Sequence, residues 1–367
     1  MNISYISNSA CPSKLPSSLQ IVKTCEYLSK YGNQVFLILP NTYDTNLSIF
    51  NFYNIKYNFE IIRLFRFKKF PIGLNYYIFS FLSFLKAKKI SDLIITRNYF
   101  VTFLCFLFRK KCIIELHNDI INESRIVRLI YSIFNILNSK SVQKIICISQ
   151  AVKKKYVDDF GLHNKKNIIV LPSGSSLDIK YKNSLNKKRL KLGYFGTINP
   201  SRGINIILKL AQTDKQNDYY IFGGSKNQIE NLKKRYKLRN LYLKPYQHYK
   251  IIQNIFSKMD ILLMPYSNKV TVSGNVSNTA KFMSPLKLFD YMSAGRLIIS
   301  SDIEVLREVV NHNQCIFVKN YLNPISWLHE IKKIKNNLIK RNIIGKNSYK
   351  KSKIYSHKYR VLRYLEK

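Results

Sequence analysis

The segment SPLKLFDYMSAG, Ser284 to Gly295, holds the densest set of residues able to do chemistry. Ser284 predicts a helix N-cap, Pro285 the first helical position and Gly295 the helix end. Lys287 falls in the first turn, where the macrodipole favours acids. A cation at that end makes sense when an anion sits in front of both it and the backbone N–H groups, which are ready phosphate donors. Asp290 lies one turn on, on the face shared with Lys287, where a carboxylate can accept hydrogen bonds from a ribose diol. The same spacing also describes an ordinary capped helix with a surface Lys287–Asp290 pair, worth a few tenths of a kcal/mol. A second candidate is the turn from Gly196 through Thr197 to Arg202 and Gly203, which follows an apolar run and opens a helix. There the guanidinium offers a planar fork of donors to a diphosphate. A third is His117, at the carboxyl end of the apolar run Cys112–Leu116, where a polar side chain points into a cleft. His163, His248, His312, His329 and His357 fall in helix or loop patterns and read as solvated.

These residues need strands and helices to hold them. Short apolar, β-branched runs alternate with longer helical patterns, the mark of parallel α/β architecture. The runs lie near residues 3–7, 34–40, 60–65, 93–97, 112–116, 144–149 and 168–172. A polar bridge, Ser173 to Lys187, follows, and the pattern restarts with runs near 191–195, 218–222, 260–265, 297–301 and 315–318. The expected division is a first domain over 1–172, a linker over 173–190, a second domain over 191–340 and a helical tail over 341–367. The tail carries Tyr355, Tyr359 and Leu362 as an apolar stripe. Two open sheets in sequence place a ligand at the carboxyl ends of their strands.

The bulk composition sets limits. The chain of 367 residues, 46% of them hydrophobic, suits two α/β cores. Six cysteines show no metal-ligand spacing and lie in apolar contexts, so neither a zinc site nor a disulfide framework is expected. The start has no basic–apolar–cleavage order, and the longest apolar run, Tyr99 to Phe108, is about half the ~20 residues a spanning helix needs. A cytoplasmic chain, peripheral on the inner face of the plasma membrane, is the expectation. The net charge of +41 follows from 61 Lys and Arg against 20 Asp and Glu. Two readings stand side by side: codon bias, which accounts for the lysines but not for the shortage of acids, and attraction to an anionic partner such as phospholipid head groups, lipid diphosphates, acidic glycans or nucleic acid. Three segments suit an anionic membrane surface: Arg63–Phe70, Tyr76–Lys89 and Arg125–Lys140. The alternative is that their apolar sides pack into the first core. No nucleic-acid-binding module is present, and no obligate protein partner is indicated.

The chain resembles the large retaining glycosyltransferase family four. The resemblance is carried by YFGTINPSRG (Tyr194–Gly203), DILLMPY (Asp260–Tyr266) and MSPLKLFDYMSAGRLIISSDIEVLREV (Met283–Val309) in the second half. The first half adds ELHN around His117, CISQAVKKKY (Cys147–Tyr156) and VLPSG (Val170–Gly174), and YSHKYRVLRYL (Tyr355–Leu365) resembles the family's final helix. It implies the GT-B fold, two Rossmann-like domains with parallel sheets, with a last helix crossing back to the first domain. It implies retaining transfer of a sugar from a nucleotide-diphosphate sugar to a glycan or lipid-linked acceptor, in bacterial surface polysaccharide or lipopolysaccharide synthesis. No cofactor beyond the donor substrate is implied. Residue by residue, Arg202 matches the basic residue on the donor diphosphate, and Asp290 the carboxylate on the ribose, usually Glu. Met283, Ser284, Pro285, Leu286 and Lys287 match the turn that cradles sugar and phosphate. Gly196 matches the restart glycine, and His117 the histidine lining the donor-sugar side. Three positions depart from the pattern. Phe282 stands where an earlier Glu touches the sugar, Thr197 replaces a basic residue, and Pro16-Ser17-Ser18-Leu19 replaces a glycine-rich turn. Arg202, Lys287 and the helix N-terminus supply the positive charge, and no DxD pair occurs, so metal-independent transfer is expected. Other readings are a GT-B sugar-nucleotide epimerase and a weakened, non-catalytic transferase-like partner protein.

Overall fold

The computed structural model describes residues 1–41, 48–65, 71–177, 179–247, 249–269 and 279–366. The chain forms two α/β units, Met1–Gly174 with His357–Lys367, and Ser175–Ser356. In the first unit, β1 (Asn2–Ile6), β2 (Gln34–Pro40), β3 (Glu60–Leu64), β4 (Leu93–Thr96), β5 (Cys112–Leu116), β6 (Val142–Cys147) and β7 (Ile168–Val170) form one parallel sheet ordered β3-β2-β1-β4-β5-β6-β7. Helices α1 (Pro16–Lys30), α2 (Ile49–Tyr53), α3 (Ile72–Ile90), α4 (Tyr99–Leu107), α5 (Arg125–Ile133) and α6 (Gln150–Phe160) make the crossovers.

The second unit repeats the plan with β8 (Lys191–Phe195), β9 (Asp218–Phe222), β10 (Leu241–Lys244), β11 (Ile261–Met264), β12 (Leu297–Ser301) and β13 (Ile316–Val318), ordered β10-β9-β8-β11-β12-β13. Its helices are α7 (Ile204–Thr213), α8 (Lys226–Arg235), α9 (Tyr249–Phe256), α10 (Leu286–Ala294), α11 (Glu304–Arg307), α12 (Pro324–Lys335) and α13 (Leu338–Ser352). Both faces of this sheet are covered at its centre, which is why β11 reads as an unbroken apolar run. Ile261 and Leu263 of β11 enter a core with Trp327, while Leu262 and Met264 meet Leu288, Phe289 and Met292 of α10. Strand order reverses between β1 and β4 and again between β8 and β11, and such switch points are where open sheets bind ligands.

The last helix, α14 (His357–Leu365), lies on α1 in the first unit, with Val361 and Tyr364 in the core. The tail as expected, 341–367, is divided: α13 packs on α10 and β12 of the second unit, and only the chain from His357 joins the first. The 173–190 linker is also absorbed, since Ile179 and Ser184 are buried in the second unit and Ser175 bridges to Ser356. The expected stripe of α14 is turned outward: Tyr359 and Leu362 are exposed, while His357, Arg360, Val361 and Tyr364 are buried. A charged residue faces inward because Arg360 has a buried carboxylate, Glu115, to meet. His357 is therefore not solvated; its ring stacks on Tyr27. All six cysteines are buried and free. Among the described residues no helix is long and apolar enough to cross a membrane.

Candidate functional site

At the carboxyl end of β8, Gly196 holds φ at +156° and donates its N–H to Phe222 O at 2.9 Å. A Cβ there would lie 2.7 Å from the Lys287 ammonium, so glycine leaves the space the lysine fills. The single 3-10 turn Pro200–Arg202 follows, with Asn199 Oδ1 accepting from Ser201 N at 2.9 Å. Gly203 closes it at φ +76°, where a Cβ would stand 1.7 Å from Pro265 O. That close approach presses the turn against the end of β11. As a result the Arg202 guanidinium lies over the Tyr266 ring, 4.9 Å from its centre.

Lys287 reaches the same ring from α10. Its ammonium is 4.9 Å from the centre of Tyr266 and 4.0 Å from that of Tyr194, whose hydroxyl donates to Thr197 O at 2.8 Å. Gly196, Thr197, Arg202 and Lys287 thus meet at the β8/β11 switch point. Neither cation has a carboxylate partner among the described residues. Burial first, then the Arg202 charge, pushes the Lys287 pKa well below that of an ordinary lysine. Two unpaired cations on one aromatic ring form a site for a multiply charged anion.

The start of α10 differs from its expected form. The helix begins at Leu286, with Pro285 as the cap residue in extended conformation and no side chain capping the first turn. Ser284 is therefore not the N-cap: the fixed proline φ serves the residue before the helix rather than its first position. Met283, Ser284, Pro285 and Leu286 are half-buried, with Met283 packed against the α10-side core. Asp290 is buried, and its Oδ1 accepts from the Ser175 hydroxyl at 2.6 Å. The surface Lys287–Asp290 pair does not form, because Lys287 turns to the tyrosines and Asp290 turns inward. Tyr291, on the same helix, fixes α10 to β8 by accepting from Phe195 N at 2.9 Å.

His117 belongs to the first unit. Glu115, two residues earlier on β5, is fully buried and accepts from Tyr5 (2.7 Å), Arg97 Nε (3.2 Å), Arg360 (3.1 Å) and Tyr364. Burial raises its pKa, but Arg97 and Arg360 outweigh that and hold it well below the usual carboxylate range. His117 Nε2 lies 2.9 Å from Glu115 Oε2. Burial, then the Arg97 charge, lowers the His117 pKa to about 4, so the ring is neutral near pH 7. An acceptor carboxylate fixes the proton on Nε2, which leaves Nδ1 as an acceptor for a hydroxyl. Sequence reasoning missed Glu115, Arg97, Tyr194, Tyr266 and Ser175 as supports. The signal for Glu115 was present: a carboxylate inside an otherwise apolar strand run needs buried cations.

Residues 176–351, slightly under half the chain, match the family described as glycosyl transferases group 1. The matched stretch lies within the second unit. It contains Gly196, Thr197, Arg202, Lys287 and Asp290, whereas His117 lies outside the match. Among solved structures, the chain is similar to sucrose-phosphate synthase from Thermosynechococcus elongatus. That likeness has 15% identity and a TM-score of 0.72, covering 99% of this chain and 97% of that one. HepE from Anabaena in complex with UDP and glucose matches at 14% identity and TM-score 0.71, over 99% and 98% of the two chains. WaaG, a glycosyltransferase involved in lipopolysaccharide biosynthesis, matches at 11% and 0.66, over 99% and 98%. At such identities these likenesses establish the fold, which is GT-B. No curated protein matches the chain in sequence.

Proposed function

We propose that this chain is a retaining, metal-independent glycosyltransferase that takes a sugar from a nucleotide-diphosphate donor. The reading is carried by one observation: Arg202 and Lys287, without carboxylate partners among the described residues, converge on Tyr266 in the matched stretch. As the glycosidic bond to the donor breaks, negative charge grows on the departing diphosphate. Fixed cations in a partly dry site stabilise that charge more in the transition state than in the bound donor. The backbone N–H groups that open α10 from Leu286 onward, Pro285 having none, are assigned to the diphosphate as further donors. Gly196 and Thr197 border the diphosphate, and two protein cations supply the charge a divalent ion would otherwise bring. Asp290, held by Ser175, is assigned to the ribose hydroxyls. His117, neutral and oriented by Glu115, is assigned to a sugar hydroxyl as a positioning group, since so low a pKa makes it a poor base.

HepE binds UDP-glucose, so uridine diphosphate sugars are the donors to try first. A glycan or lipid-linked acceptor of a bacterial surface polysaccharide or lipopolysaccharide completes the reading, met at the inner face of the plasma membrane. A radiolabelled-donor screen against membrane extract tests it, with EDTA present in half the reactions. Label should move to acceptor from one donor, with EDTA making no difference and the anomeric configuration kept. Epimerised donor without transfer, or binding without turnover, would overturn the reading, and loss in EDTA restored by magnesium would overturn its metal-free part.

A further inference from the structure

The helix α5 carries an apolar stripe that the fold leaves uncovered. Val127 and Tyr131, four residues apart, are buried and fix the helix in place, the Tyr131 hydroxyl donating to Tyr99 O at 3.0 Å. Ile126, Leu129, Ile130 and Ile133 follow the i, i+3, i+4, i+7 spacing of one helix face, yet this is not the face that packs. Ile126, Leu129 and Ile133 are 57%, 60% and 65% exposed. Ile121 extends the stripe ahead of the helix and Phe134 behind it. Phe134 also meets Phe103 and Phe106 at 6.0 Å each, joining the stripe to α4, where Leu107 and Phe108 are exposed beside Lys88. A monomer gains nothing from holding so many branched apolar side chains in water, and such a patch marks a binding surface.

The charge around the stripe says what covers it. Arg125 and Arg128 are exposed on its flank, and Asp119 and Asp159, which line the same concavity as Arg128, Ile133 and Phe134, are both held by Lys155. A second copy of this chain, facing it across a two-fold axis, would set these arginines against their own equivalents. An anionic bilayer satisfies both features, with the apolar face entering the acyl boundary and the arginines staying at the head groups. We propose that α5, with Ile121 and Phe134, is a membrane-docking element for anionic lipid. Of the other two segments expected at a membrane, residues 66–70 of Arg63–Phe70 lie outside the described residues. In Tyr76–Lys89, Phe79, Phe84 and Ala87 are packed in the core, while Phe81 and Leu82 are exposed.

Flotation of the full chain with phosphatidylcholine vesicles, with and without phosphatidylglycerol, tests the proposal. No donor or transfer step is involved, so the outcome is independent of the enzymatic reading. The chain should float with the anionic vesicles, and less as salt rises. I126S/L129S/I133S should weaken binding by at least about a hundredfold, on the scale of roughly tenfold per inserted side chain. R125E/R128E should abolish the preference for phosphatidylglycerol. Because all five side chains are exposed, circular dichroism and Tm should match the wild type, which keeps a misfolded variant from passing as a positive result. The proposal is overturned if both vesicle types float the chain equally, or if the triple variant floats like the wild type. It is equally overturned by a wild-type dimer in sedimentation that the triple variant abolishes without any vesicle binding, since the stripe is then a subunit interface.

Discussion

Lys287→Met separates two readings of one ammonium group. Its position 4.0 Å and 4.9 Å from two tyrosine ring centres suggests a structural lysine held by cation–π attraction. Losing two largely desolvated contacts of that kind would cost the second unit roughly 1–4 kcal/mol. The depressed pKa argues for the opposite sign, because burial and Arg202 both disfavour the charge in the free protein. Methionine keeps most of the stem packing, and replacing an uncompensated, partly buried charge by an apolar side chain is neutral or stabilising. The expected result is a Tm equal to or above that of the wild type. Affinity for inorganic pyrophosphate, a probe independent of the donor base, should fall by roughly 1.5–3 kcal/mol, about 10- to 150-fold. A pH series adds a sign. The anion binds the protonated lysine, so wild-type affinity should fall as pH rises through the free-state pKa, below the ordinary lysine range. Over the same interval the free protein should gain stability, since the unfolded chain keeps that proton to higher pH. K287M should show neither slope. Calorimetry and thermal melts over a pH series below the ordinary lysine range read all of this. Pyrophosphate affinity within about twofold of wild type, or a clear fall in Tm, would refute the anion-site argument.

Asp290→Asn should leave pyrophosphate affinity nearly unchanged and weaken nucleoside diphosphates, by calorimetry; equal losses for both would remove the ribose assignment. Gly203→Ala forces a side chain into φ +76° and against Pro265 O, 1.7 Å away. It should destabilise the second unit by more than about 3 kcal/mol, a Tm loss of roughly 6–12 °C, and an unchanged melt would show that the turn can relax. For His117, the folded pKa of about 4 lies below the unfolded value of about 6.5. The unfolded chain therefore takes up the proton first as pH falls. First-unit stability should be fully present above about pH 6.5 and decline towards pH 4, by roughly 3 kcal/mol at most from this residue. Denaturant melts of His117→Gln should be flatter over that range. Proton NMR showing His117 titrating near 6.5 in the folded chain would contradict the neutral, Glu115-bound ring.

Much of the architecture was legible because the strands bury both faces. A central run such as Ile261–Met264, buried at all four positions, must be apolar throughout and stands out in the sequence without knowledge of its neighbours. The missed strand, β10, shows why: it lies at the sheet edge, only Leu243 of its four residues is buried, and its pattern is correspondingly weak. Arg202, Lys287 and Asp290 were legible as candidates because cap and turn chemistry is local.

The amino-acid pattern by itself determined the alternation of strands and helices and the residues able to meet an anion. Only the tertiary structure decided where those side chains point. Lys287 joins Arg202 over Tyr266 rather than pairing with Asp290, because glycine at 196 opens the space beside β8. Helix periodicity also states which residues share a face, but not which face meets the core. In α14 the inward face was chosen by Arg360, whose carboxylate partner Glu115 is 245 residues away in sequence. In α5 the core took Val127 and Tyr131 and left the longer apolar stripe outside. Burial is set by the surface an element lands on, and that surface is assembled from segments remote in the chain.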